Sequence, residues 1–159
     1  MVISYRELLR ESSREEALIG GKSQGLLQLM KHNATVPPFF VLPPSGTLQS
    51  AVDAFAEREW EIVAVRSSAM GEDGSEHSFA GMYESILGVG SAYQLKNAIK
   101  TCRTSNQSER IKEYRKIHGI QDTPLAVIVQ EMIVGEVSGV MFSHDPINPD
   151  KVLISAGYG

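Results

Sequence analysis

A single cysteine in 159 residues, Cys102, excludes an internal disulfide and suits a reducing compartment, so a cytoplasmic protein is expected. No run of 18 apolar residues occurs, and the charged start MVISYRELLRESSREEA has no apolar signal core, so no membrane span or leader is expected. Positive charge is not in excess. Fifteen Lys and Arg stand against nineteen Asp and Glu, and the net charge of −4 argues against a nucleic-acid partner. No C-x-x-C or H-x-x-x-H spacing offers a metal site. Repeats and low-complexity segments are absent. What remains is ordinary soluble material, 42% hydrophobic and 21% charged, enough for one cored domain or two small lobes.

Against that background one stretch has a distinct character, IVAVRSSAMGEDGSEHSFAGMYESILGV from Ile62 to Val89. Ile62, Val63, Ala64 and Val65 read as a strand that ends at Arg66. A long segment rich in Gly, Ser and acidic residues follows, and Tyr83, Ile86, Leu87 and Val89 read as a second strand. Gly and Ser let backbone N–H groups turn toward phosphate oxygens, and an Arg at a strand end adds a bidentate charge. A flap closing over a charged ligand is one reading, with 69–77 the least ordered internal segment. An ordinary hairpin loop with a surface Arg is the other.

Upstream, Gly20-Gly21-Lys22 leads into the helical pattern Leu26, Leu27, Leu29, Met30, which places free N–H groups, a positive dipole end and an amine together. The spacing is not that of a Walker loop, and a solvated Lys beside a Gly-Gly turn is the plain alternative. Val36–Leu42 reads as an edge strand entered through prolines, and Thr47 as the cap of a helix from Leu48 to about Arg58. Downstream, helices are expected over Ala92–Cys102 and Gln107–Ile117, the second with Ile111 and Tyr114 inward. A buried strand follows from Leu125 to Met132, then a Ser138-Gly139 return, a turn at 143–150 and a last strand at Val152–Ile154. Cys102 reads as a small buried apolar residue and the charges Glu109, Arg110, Lys112 and Glu113 as a solvated helix face. Met132, Ile133, Val140 and Met141 are expected mostly in the core.

Three blocks in fixed order carry a resemblance. They are GGK ahead of V-P-P-x-F, RSSAMGEDGSEHSFAGMYES, and VQEMIVGEVSGVMF. Together they resemble the ATP-binding domain of the phosphoenolpyruvate synthase and pyruvate phosphate dikinase family, which includes the rifampicin phosphotransferases. The resemblance covers essentially the whole chain. It implies an α+β, ATP-grasp-like nucleotide-binding subdomain with a mixed or antiparallel sheet and packed helices, with residues 1–159 a single N-terminal part of such a domain.

By the same resemblance ATP is the ligand. Lys22 and Arg66 would contact its phosphates, Arg66 with a catalytic role, and Ser67, Ser68, Ala69, Ser78, Ala80 and Gly81 would line or cover them. Glu131 and Ile133 would offer main-chain groups to adenine, and Glu136 would face the ribose or the connector. Mg²⁺ ligands and the phosphohistidine block would lie beyond Gly159, with downstream domains of the same enzyme as partners. Neither Glu72, Asp73, Glu84 and Asp145 nor His32, His77, His118 and His144 has those contexts. The activity implied is phosphoryl transfer from ATP through a histidine to pyruvate or a related acceptor. The alternatives are a fragment of an antibiotic kinase, a non-catalytic nucleotide-binding module, or a degenerate remnant. Phe39 departs from a usual Gly, and Met82 from a frequent Gln whose amide a thioether cannot replace. The interval between the Val36–Leu42 strand and Arg66 is short for the family, so a helical layer is expected to be reduced.

Overall fold

The computed structural model describes residues 1–9, 18–69, 82–145 and 147–158. Central strands made of near-continuous runs of apolar and small residues build a five-stranded antiparallel sheet in the order β1-β2-β5-β3-β4, from β1 (Ile3–Ser4), β2 (Phe39–Leu42), β3 (Val63–Ala69), β4 (Ser85–Val89) and β5 (Leu125–Glu131). Every pairing in it is antiparallel, which resolves the mixed-or-antiparallel expectation. A separate hairpin joins β6 (Val137–Phe142) to β7 (Leu153–Tyr158).

The central strands are buried on both faces, so their two side-chain sets belong to two cores. One face carries Phe40, Leu42, Val63, Val65, Val127 and Val129. It packs on α3 (Leu48–Ala56) through Ala51 and Ala54, and on α4 (Ala92–Ser105) through Leu95, Ile99 and Cys102. The other face carries Phe39, Val41, Ala126 and Ile128, and packs on Ile19 and Leu27 of α2 (Gly20–Lys31) with its preceding residue, and on Leu8 of α1 (Tyr5–Leu8). Phe39, which stands where a Gly was noted as usual, is fully buried here with its ring 5.7 Å from that of Tyr5.

Caps fix the helix starts. Thr47 accepts from the Ser50 amide, Ser91 from that of Gln94 and Ser108 from that of Ile111. Ser108 sets the start of α5 (Glu109–His118), and Gly119 at φ +65° ends it in the left-handed conformation. Nine residues of α3 are the whole helical content between β2 and β3, in keeping with the short interval in the sequence.

Six expectations are corrected. β2 is not an edge strand, since it pairs with β1 on one side and β5 on the other. Tyr83 stands ahead of β4, which begins at Ser85. Arg66 does not end a strand, because β3 continues through Ser67, Ser68 and Ala69, small residues that fit beneath α2 and α4. Leu9 is exposed rather than aligned with Tyr5 and Leu8. The last strand runs to Tyr158 instead of stopping at Ile154. Ile133, Val140 and Met141 are 65%, 56% and 68% exposed, not core: Ile133 lies in the connector after β5, and both faces of the β6–β7 hairpin that carries the other two are uncovered. Among the described residues, no helix is long and apolar enough to cross a membrane.

Candidate functional site

The start of α2 lies on the backbone of β3, and its sequence makes that approach possible. Gly20 has φ +75°, and a Cβ placed there would lie 2.1 Å from the Ser68 carbonyl oxygen, so no larger residue fits. The Ser68 hydroxyl then locks the junction. It donates to the Ile19 carbonyl at 2.8 Å and accepts from the Ser23 amide at 3.2 Å, with the Ser23 hydroxyl also 3.2 Å away. Gly21-Lys22-Ser23-Gln24-Gly25 has the pattern of a nucleophile elbow, but Ser23 is fully buried in this junction and is not presented to substrate. GGK therefore forms the first turn of the helix itself rather than a loop ahead of it. Its N–H groups and dipole end sit at β3.

On the opposite face of β3, Ser67 donates to the Cys102 carbonyl at 3.4 Å, and its amide donates to the Glu84 carbonyl at 3.1 Å. The Cys102 thiol also reaches the Val65 and Glu84 carbonyls. Burial pushes that thiol up. The Ser67 bond and the Lys22 charge lower it, while Glu84 adds to the rise. Ser67, Ser68 and Ala69 are all fully buried, so the two hydroxyls hold strand to helix instead of opening onto a ligand.

Arg66 alternates with Ser68, which puts it on the α2 face of β3, between Ser85 of β4 and Ile128 of β5. Lys22, in the first turn of α2, rises from that same face. Both are half-buried, and the Lys22 ammonium lies 5.7 Å from the centroid of the Tyr83 ring. The topology thus brings the two cations to one side of the sheet from different segments.

The Glu131–Ile133 connector stands at the other end of β3 and β5, where Val63 pairs with Glu131. The Glu131 amide is taken by the Pro38 carbonyl at 2.9 Å and the Met132 amide by the Ile62 carbonyl at 3.1 Å. The Met132 sulfur accepts from the Gly88 amide at 3.3 Å, in a bulge of β4 where Gly88 has φ +69°. Of the expected adenine contacts, the Glu131 N–H is therefore already used. Ile133 is exposed, and it borders a cleft of about 430 Å³ lined by Glu59, Glu61, Ile62, Glu131, Met132, Ile133 and Val134. Glu136 is exposed in the link to β6.

Ser78, Ala80 and Gly81, with Glu72, Asp73, His77 and the expected mobility of the 70–77 part of the flap, lie outside the described residues. Among those described, no cluster of three His, Cys, Asp or Glu side chains could hold a metal ion. Two residues that sequence reasoning passed over stand beside the site, Tyr83 and Arg115. Arg115 has the spacing of an inward residue, being four positions after Ile111 on one helix face.

Residues 45–159 match the family profile described as pyruvate phosphate dikinase, AMP/ATP-binding domain. The chain is 30% identical to an uncharacterized phosphotransferase, YvkC, of Bacillus subtilis, over 98% of this chain and 23% of that protein. That alignment has 190 positions, more than the chain has residues, so the relative carries residues this chain lacks. It is 40% identical to the phosphoenolpyruvate synthase of Pyrococcus furiosus over 73% of this chain and 15% of that protein. A rifampicin phosphotransferase of Streptomyces sviceus is 34% identical over 72% of this chain and 14% of its own length. The chain spans less than a quarter of the length of these relatives.

Proposed function

We propose that this chain, which belongs to the pyruvate phosphate dikinase AMP/ATP-binding domain family, forms one wall of the ATP site of a phosphotransferase, with Lys22 and Arg66 as its phosphate contacts. The observation that carries the reading is the order of groups along β3 and β5. Exposed Ile133 and its cleft stand at the Val63 end, Arg66 midway, and the α2 start with Lys22 at the Ser68 end. Five residue steps along the strand take Val63 to Ser68, roughly 17 Å, the reach of an extended nucleoside triphosphate. Adenine would lie against the Ile133 main chain and side chain, with Glu136 beside the ribose. The phosphates would extend toward Arg66, the α2 amides and Lys22. Ser67, Ser68 and Ala69 support the contacts from below, and Ser78, Ala80 and Gly81 would cover them.

Mg²⁺ belongs to this chemistry as the neutraliser of charge between phosphates. The described residues do not supply a fitting set of ligands for it, and we assign those ligands to other parts of a longer protein. The same holds for the histidine that would carry the phosphoryl group and for the acceptor, pyruvate or a related molecule. A cytoplasmic setting follows from substrates of this class.

Calorimetric titration with ATP tests the reading. Arg66→Ala is expected to weaken binding by about 1.5–3 kcal/mol, the worth of one charge-assisted contact. Lys112→Ala, which removes an exposed cation paired with Glu109 on α5, is expected to leave it unchanged. Equal affinities for the two variants would overturn the assignment of Arg66.

A further inference from the structure

Arg115 is a buried cation on α5, with its side chain only 7% exposed. Burying a guanidinium costs desolvation that must be met by placed acceptors. Nη1 donates to Asp122 Oδ1 at 2.7 Å and to the Asn106 carbonyl at 3.2 Å. Nη2 donates to Asn106 Oδ1 at 2.6 Å and to the Tyr83 hydroxyl at 3.4 Å. Nε has no partner among the described residues. Asn106 and Asp122 flank α5 in sequence, and the bonds to them fasten the helix at both ends. The bond to Tyr83 does something else, because it leaves α5 and reaches the residue that carries the Lys22 ammonium over its ring.

We propose that Arg115 and Tyr83 are positioning residues for Lys22: the buried guanidinium holds the Tyr83 hydroxyl, and the fixed ring holds the ammonium where it meets phosphate. The proposal rests on the reading of Lys22 as a phosphate contact and deepens it. A lysine side chain is long and has several rotatable bonds, and restraining it before the ligand arrives lowers the entropy lost on binding. The aromatic face is suited to that task. It attracts the ammonium through its quadrupole and brings no charge of its own. The next residue reinforces the arrangement, since the Glu84 carbonyl accepts from the Ser67 amide and ties the Tyr83 backbone to β3.

The test has a spectroscopic arm and a binding arm, both on the full chain. With lysine ¹³C-labelled at Cε, the Lys22 methylene resonance should carry a ring-current displacement. Tyr83→Leu should abolish it, and Tyr83→Phe and Arg115→Lys should reduce it, because the ring loses its anchor. This arm needs no nucleotide. In the binding arm, Tyr83→Phe should weaken ATP about two- to fivefold and leave adenosine unchanged. Adding Tyr83→Phe to Lys22→Ala should cost nothing more, as expected for residues acting through one contact. A displacement unchanged in Tyr83→Phe and Arg115→Lys would overturn the relay, as would equal losses for ATP and adenosine. If Lys22→Ala weakens ATP and Tyr83→Phe does not, the relay falls and the phosphate reading stands. If Lys22→Ala itself leaves ATP affinity unchanged, the phosphate reading falls and takes the relay with it.

Discussion

Gly20 shows how one residue can decide a site. Its positive φ and the 2.1 Å approach to Ser68 are both demands on the backbone, so Gly20→Ala is strained in two ways at once. We expect it to destabilise the chain by about 2–4 kcal/mol in urea unfolding, against about 1 kcal/mol for Ser108→Ala at the α5 cap. Near-equal midpoints for the two variants would show that α2 can shift off β3. Cys102 makes a second prediction at this scale. Burial holds its thiol above the ordinary value, so the folded chain keeps it neutral where the unfolded chain ionises. The contribution is fully present below the unfolded thiol value of about 8.5 and is lost as pH rises through the raised folded value. Stability of the chain should therefore fall from pH 8 to 10 more steeply than that of Cys102→Ala, as measured by chemical denaturation. Parallel slopes would contradict it. The sequence made Cys102 legible as buried, since a lone small apolar residue near a helix end has few other roles. The link between Tyr83 and Arg115 was not legible, because it exists only where the residue ahead of β4 meets α5 in the fold.

At the scale of elements, the helices were read well and the ends of strands poorly. Capping residues and 3.6-residue spacing are local signals, so α3, α4 and α5 fall close to their expected places. Where β3 stops is not a local matter. Ser67 and Ser68 read as loop because small hydroxyl residues favour turns, yet here two helices approach closely enough to bury them in a strand. The β6–β7 hairpin fails for a related reason. Its pattern of Val, Met, Phe, Leu and Ile states that something covers it, and the described residues include nothing that does. A two-stranded ribbon without a packed face is marginal in water. Amides of 137–142 and 153–158 should then exchange with deuterium far faster than those of β5, which lies between β2 and β3. Equal protection in the hairpin and β5 would mean that the hairpin is packed in solution.

For the whole molecule, the proposed phosphate contacts would supply only part of what phosphoryl transfer needs. Lys22 and Arg66 share a face of the sheet, and the α2 start adds fixed dipoles there, so binding and orientation of an anion are within reach. The chemical step needs more. Metal ions and positioned cations provide the main stabilisation of the transferring phosphoryl group, and loss of one such element commonly costs about 10²–10³ in rate. The described residues contain no cluster fit for a metal, and none of the four histidines sits in a T-x-x-G-G-x-x-x-H block that would accept the phosphoryl group. Because the described residues hold no metal cluster and no histidine stands in such a block, the 159-residue chain is expected to bind ATP without consuming it. Incubated with ATP, Mg²⁺ and pyruvate, it should form AMP no faster than a Lys22→Ala/Arg66→Ala control, followed by ion-exchange chromatography of the nucleotides. AMP appearing above that control would mean that this chain completes its own catalytic site, with carboxylates from the acidic 70–77 stretch the first to replace.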